Sequence, residues 1–182
     1  TRALSSAASD VYKRQGNMKV ELRKWKEEDA PFLAEAANSE GVAENLRDGF
    51  PQPYKESDGR DFISFCHKNE GISNIERAVL ADGTPVGTIG LRLDAENARS
   101  GELGYFLHRD YWGKGVMTEA VRLFCEEVFE TTDVCEIHAL VLAHNMRSRR
   151  VLEKCGFKFV GCGSLLRHGK QTDTLNFIKN KE

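Results

Sequence analysis

The stretch Tyr111-Trp112-Gly113-Lys114-Gly115-Val116-Met117-Thr118-Glu119-Ala120 decides how the rest of the chain is read. Upstream, 101–107 reads as a strand; downstream, 118–129 carries apolar residues at helical spacing. Gly113 and Gly115 let the backbone adopt angles closed to other residues and approach a ligand closely. The first amides of the following helix have no partners within it, and the helix dipole favours negative charge there. Strand, glycine turn and helix start together make a cradle for a diphosphate. It is not a P-loop, because Lys114 is followed by Gly115 rather than Ser or Thr. It is not the dinucleotide fingerprint either, because Thr118 stands where the third glycine belongs. Taken alone, an ordinary tight turn explains the two glycines equally well.

A second stretch changes the balance. After an apolar strand over 137–142 comes Asn145-Met146-Arg147-Ser148-Arg149-Arg150-Val151-Leu152-Glu153-Lys154-Cys155-Gly156-Phe157. Asn145 is placed to cap a helix that Gly156 closes by a left-handed exit. The pair of segments resembles the GNAT superfamily of acetyl-CoA-dependent N-acetyltransferases, and within it the branch of the ribosomal-protein N-terminal acetyltransferases. The carrying motifs are the Tyr-Trp-Gly-Lys-Gly turn and Asn-x-x-Ser-x-x-x-Leu-Glu-Lys-x-Gly-Phe. The loop Asn45-Leu46-Arg47-Asp48-Gly49-Phe50-Pro51-Gln52-Pro53-Tyr54 is similar to the early loop of the same branch. The resemblance covers Met18 to about the C-terminus. It specifies a family and leaves the acceptor open.

Composition sets outer limits. At 182 residues the chain fits one domain with a substantial core. Its 26 basic and 28 acidic residues nearly cancel, which gives no reason to expect a nucleic-acid partner. No apolar run approaches a membrane span. The five cysteines are odd in number and lack Cys-x-x-Cys spacing, so neither zinc nor a disulfide framework is expected. Free thiols in a reducing cytoplasm fit them better. Residues 1–17 form a lead without periodicity, read as non-native or disordered, and residues 18–182 form the domain.

Hydrophobic periodicity and turn residues predict strands over 20–25, 75–80, 85–93, 102–107, 136–142, 157–161 and 172–178. Helices are expected around Phe32, Leu33 and Ala36, and over 57–68, 118–129 and 145–155. Asp82-Gly83 marks a hairpin. This order is an α/β single domain with helices on both faces of a mixed sheet. The resemblance implies a mostly antiparallel seven-stranded sheet with about four helices, its two central strands splayed so that acetyl-CoA enters between them.

Acetyl transfer from a thioester to an amine requires that the amine lose a proton and that the departing thiolate gain one. Glu102, on the strand leading to the cradle, is the candidate base; from the residues alone it is equally an exposed strand carboxylate. Ser148 matches the serine that the resemblance places near the leaving sulfur. Leu152 stands where many of these enzymes carry a proton-donating tyrosine. The resemblance further implies cofactor contacts from Asn145, from the backbone of Phe106 and Leu107, and from Gly113, Lys114, Gly115, Val116 and Met117. Phe50 and Tyr54 of the early loop, with the turn over 164–171, are expected to border the acceptor pocket. No metal is expected. The arginines of 147–150 read as a solvated helix face, with the 3′-phosphate of coenzyme A as the other reading, and His108, His138 and His144 as structural. The expected function is acetyl transfer from acetyl-CoA to a primary amine (a protein N-terminus or a small molecule) by direct attack in a ternary complex, in a monomer or homodimer. The alternative is a non-catalytic acyl-CoA-binding module.

Overall fold

The computed structural model describes residues 18–182; the lead over 1–17 lies outside the described residues. Seven strands form one sheet: β1 (Val20–Arg23), β2 (Asn74–Ala81), β3 (Thr84–Leu93), β4 (Ser100–Leu107), β5 (Glu136–Leu142), β6 (Lys158–Arg167) and β7 (Lys170–Asn180). Their spatial order is β1-β2-β3-β4-β5-β7-β6. Every neighbouring pair is antiparallel except β4 and β5. Four α-helices cover the sheet: α1 (Ala30–Asn38), α2 (Glu56–Asn69), α3 (Val116–Thr131) and α4 (Met146–Lys154).

Alternation along the strands feeds two cores. Ile75 and Val79 of β2 meet α3 on one face, whose buried Val116, Ala120, Val121, Phe124 and Val128 recur at helical spacing. Ala78 and Leu80 of the same strand meet Trp25, Leu33 and Ile63 on the other face, under α1 and α2. Phe124 is fully buried, and truncating it to alanine would cost about 3–5 kcal/mol.

The feature that positions the site is a failure of pairing. β4 and β5 are joined only where 100–103 runs beside 136–139. Beyond that, both strands continue unpaired with each other, and the central strands splay as the resemblance implied. The β2–β3 hairpin turns at Asp82 and Gly83, both at positive φ, as Asp-Gly predicts.

Other details depart from the sequence reading. The first strand stops at Arg23, and Trp25 instead buries its ring and donates from Nε1 to Thr88 Oγ1 at 3.0 Å. The helix expected over 57–68 leaves Phe65 exposed, off its buried face of Ile63 and Cys66. The last two strands run much further than expected, and the turn assigned to 164–171 shrinks to His168 and Gly169, both left-handed. Polar residues there hid a one-faced hairpin, because only one side of it meets protein. No helix among the described residues is long and apolar enough to cross a membrane.

Candidate active site

A cavity of about 550 Å³ opens at the splay and is lined from both sides of the sheet. One end is built from backbone. Gly113 and Gly115 both hold positive φ, and Gly115 is the N-cap of α3 without any side-chain cap. The first amide of that helix to find an acceptor is Glu119 N–H, on Gly115 O at 3.1 Å. Among the described residues, the N–H groups of Val116, Met117 and Thr118 have no acceptor, and they face a cavity lined by Gly113, Gly115, Val116 and Met117. Lys114 is not part of that lining; its Nζ sits 5.8 Å from the Tyr111 ring centroid. Trp112 anchors the turn: its Nε1 donates to Leu107 O at 2.8 Å, and Arg147 stacks on its ring at 3.6 Å. Arg147, Arg150 and Lys154 line the cavity, whereas Arg149 turns away to pair with Glu153 at 2.8 Å. The arginine run is therefore a solvated face only in part.

Strand alternation corrects one expectation about β4. His108 N–H bonds Val86 O at 2.7 Å, so the backbone groups of Phe106 also turn toward β3. Tyr105 and Leu107 face the open edge instead, and the Leu107 carbonyl is already taken by Trp112. Phe106 contributes its ring, which meets Phe50 edge-on at 6.1 Å between centroids.

At the waist of the cavity stands a pair that the sequence did not announce. Ser148 Oγ lies 2.7 Å from Tyr105 Oη, and that hydroxyl also reaches Ser148 O at 3.3 Å. Burial pushes the Tyr105 phenol well above its ordinary range, with the Ser148 hydrogen bond opposing. Asn145 caps α4 by accepting Ser148 N–H on Oδ1 at 3.2 Å, which leaves its Nδ2 for the cavity it also lines. Leu152 is fully buried in the core under α4.

The opposite end is made of side chains. Glu102 lines it, with Oε1 on Arg47 at 2.5 Å and Oε2 on Arg92 at 3.3 Å. Phe50 and Phe62 wall it. Tyr54 does not reach it: its ring packs in the second core with Trp25 and Ile63, and its backbone is clamped by Asn38 at 2.6 and 2.8 Å. The β6–β7 hairpin does not line the cavity but braces the loop that does. Arg167 donates to Leu46 O at 2.7 Å and Ala43 O at 3.0 Å, and His168 N–H reaches Asp48. Glu76, which the sequence reading passed over, also lines this end and accepts from Thr88 Oγ1 at 2.6 Å. Isolated glycines within β3 and β4, Gly90 and Gly104, were the available signal that something crosses the sheet closely there.

All five cysteines are free, and none lines the cavity. Burial pushes the Cys125 thiol up to about 12 and that of Cys66 higher still, so neither is a thiolate at neutral pH.

Comparison with known proteins agrees with this fold. Residues 19–158 match the acetyltransferase (GNAT) domain. The chain is 41% identical over 78 residues to the Probable N-acetyltransferase YjcK of Bacillus subtilis strain 168, covering 42% of this chain and 43% of the relative, less than half of its length. It is 30% identical over 148 residues to the Uncharacterized N-acetyltransferase p20 of Bacillus licheniformis, covering 79% of this chain and 81% of p20. Among solved structures, Mycobacterium smegmatis RimJ in complex with CoA-disulfide superposes with a TM-score of 0.81 at 20% identity, covering 90% of this chain and 84% of that one, a likeness of fold.

Proposed function

The chain belongs to the GNAT acetyltransferase family, and from that premise we propose that it moves an acetyl group from acetyl-CoA to a primary amine by direct attack in a ternary complex. The observation that carries this reading is the two-ended cavity at the β4–β5 splay. One end offers unpartnered amides at a left-handed glycine cap, suited to a diphosphate. The other offers carboxylates between aromatic walls, suited to an amine.

The residues divide the work along that axis. Gly113, Gly115, Val116 and Met117 hold the diphosphate by backbone, and Arg147 and Arg150 add positive charge beside it. Asn145 Nδ2 and the open edge of β4 at Tyr105 and Leu107 hold the pantetheine arm. The amine gives up a proton at the carboxylate end, its lone pair forms the C–N bond, and the C–S bond breaks. Ser148 and Tyr105 meet the departing sulfur. A thiol is acidic near 8.5 and a phenol near 10, and burial moves this phenol further up. The pair therefore stabilises the sulfur by donated hydrogen bonds and orients a proton; it is not a strong acid. With its cysteines outside the cavity and two of the thiols pushed far up, an acetyl-enzyme step has no supporting nucleophile.

The buried Leu152 in the tyrosine position favours a second reading, a non-catalytic acyl-CoA-binding module. Against it, Tyr105 supplies a phenol from β4 within 2.7 Å of Ser148. Thiol release from acetyl-CoA decides between them, measured with a free-amine tetrapeptide, spermidine and kanamycin as acceptors. Release with any of these supports transfer. Tight coenzyme A binding with no amine-dependent release across the panel supports the binding module.

A further inference from the structure

Glu76 is an ionisable side chain near the start of β2, and no role has been given to it so far. Its cross-strand row continues through Gly90 of β3 and Gly104 of β4. A Cβ built on Gly90 would collide with Glu76 Oε2, so the carboxylate lies across the backbone of β3, in space that only glycine leaves free. At Gly104 nothing lies within 4 Å of where a Cβ would stand, and that glycine is exposed although it sits mid-sheet. The row is a trough with a carboxylate at its β2 end, and it opens into the cavity.

The two oxygens of Glu76 differ. Oε1 accepts from Thr88 Oγ1 at 2.6 Å, and that hydroxyl oxygen accepts from Trp25 Nε1 at 3.0 Å. Oε2 has only a long contact to Asn74 Nδ2, at 3.5 Å. One oxygen is fixed and the other is nearly free beside the trough. Glu102 is different: each of its oxygens is held by an arginine, so taking a proton there requires giving up an ion pair. The charged and titratable groups around Glu76 are few. Arg77 follows it on β2, Glu70 and His67 lie at the end of α2, Lys24 and Cys66 share its second, smaller cavity, and Arg92 and Glu102 stand one row along the sheet.

We propose that Glu76 is the residue that takes the proton from the acceptor amine, with the amine lying over Gly90 and Gly104 between Glu76 and the Arg47–Glu102 pair. The inference rests on the acetyl-transfer reading of this cavity. An acceptor ammonium gives one proton to the Glu76 carboxylate, and the freed lone pair forms the C–N bond as the C–S bond breaks. The second N–H proton ends on the departing sulfur, and Glu76 returns its own to solvent. Burial raises the Glu76 carboxyl to about 7, against the lowering by Thr88, Asn74 and Arg77, with Glu70 adding to the rise. A base of that strength is matched to neutral pH.

The test is the pH dependence of kcat/KM, with the tetrapeptide, spermidine or kanamycin, whichever the unsubstituted protein acetylates. The expected profile rises through a single ionisation near 7. Glu76→Gln should remove that limb and lower the rate at neutral pH roughly a hundredfold or more, while acetyl-CoA affinity by calorimetry stays within about twofold. Glu102→Gln should keep the limb. A profile that survives Glu76→Gln and vanishes in Glu102→Gln overturns the assignment and leaves the acetyl-transfer reading standing. No turnover of any acceptor by the unsubstituted protein overturns that reading and the assignment with it. A second measurement does not depend on variant folding: carbon-13 NMR of labelled glutamate carboxyls should find one group titrating near 7, and its absence would also overturn the proposal.

Discussion

The two ends of the cavity are built on opposite principles. The core of the proposed cofactor end is continuous chain: a strand end, two left-handed glycines and the first turn of α3, all within 105–118. Its diphosphate cradle is carried by backbone N–H groups and so is specified by backbone angles, with Asn145, Arg147 and Arg150 adding side chains from outside that stretch. The acceptor end is assembled from Arg47 on a loop, Glu76 on β2, Thr88 and Gly90 on β3 and Glu102 on β4. Its chemistry is carried by side chains that meet only because the sheet sets their register. A backbone site of this kind suits an invariant group such as a diphosphate. A side-chain site can be rebuilt one residue at a time, which is how one cofactor end can serve many acceptors.

The contrast breaks most sharply at Gly115. Gly115→Glu places a side chain at φ 77° and a negative charge among the unpartnered amides. The left-handed strain costs about 1–2 kcal/mol, which leaves a fold of this size standing. Acetyl-CoA affinity should nevertheless fall roughly a thousandfold or more, about 4 kcal/mol. Isothermal calorimetry beside a circular dichroism melt reads both quantities. An affinity within threefold of the original would mean that the diphosphate lies elsewhere.

The acceptor end should respond to pH where the cofactor end does not. The Glu76 carboxyl is raised by burial from 4.5 to about 7 in the folded protein. Between those values the unfolded chain ionises while the folded one keeps its proton, so the folded state binds more protons and stability falls as pH rises. This contribution is fully present below about 4.5, is lost as pH rises through 7, and amounts to about 3 kcal/mol. Glu76→Gln keeps an acceptor for Thr88 and removes the slope. The variant should therefore melt increasingly above the unsubstituted protein from pH 5 to 8, with little difference at pH 4.5. Parallel melting curves across that range would show that Glu76 ionises freely in the fold.

The same contrast explains what the sequence made legible. The glycine turn, the Asn145 cap and the Gly156 exit are each decided by neighbours within one turn of chain, so spacing located these turns and caps, and the resemblance supplied their reading as a cofactor site. Phe106 was misassigned because a resemblance names a strand but not which of its residues faces the open edge; Tyr105 and Leu107 do. Tyr54 was drawn to the acceptor pocket by its proline-rich loop, yet its large ring is only 7% exposed and gains more by joining Trp25 and Ile63. Glu76 stayed hidden because its meaning depends on Gly90 and Gly104, which are adjacent only across strands. Periodicity reports a residue's own strand and is silent about the row.

Between the two ends, Ser148 and Tyr105 should matter to turnover and not to binding. Ser148→Ala removes the hydroxyl nearest the proposed leaving sulfur, and loss of one such donor costs roughly a hundredfold in kcat. Tyr105→Phe leaves the serine but frees its rotor, and about tenfold is expected. Both variants should bind acetyl-CoA as before, since the interaction arises as charge develops on sulfur. Stopped-flow thiol release with saturating acceptor separates them. If Ser148→Ala turned over normally, the sulfur would take its proton from water, and the 2.7 Å contact with Tyr105 would be packing.

The smallest effect should come from a residue that touches neither substrate. Arg167 is separated by 121 residues from Leu46, yet its guanidinium holds that carbonyl at 2.7 Å and Ala43 O at 3.0 Å. Those bonds fix the loop that presents Arg47 to Glu102 and Phe50 to Phe106. Arg167→Ala leaves two carbonyls to water, and net loss per hydrogen bond is about 1 kcal/mol. Because the part of the loop that Arg167 holds carries Arg47 and Phe50 to the acceptor end, the acceptor KM should rise several-fold while acetyl-CoA affinity stays constant. Arg167→Lys, which can satisfy one carbonyl but not fork across both, should fall between. A rise in KM for both substrates would mean that the loop also shapes the cofactor end, through Gly41 where it packs against Trp112. The division between a backbone site and a side-chain site would then be a division of chemistry without mechanical independence.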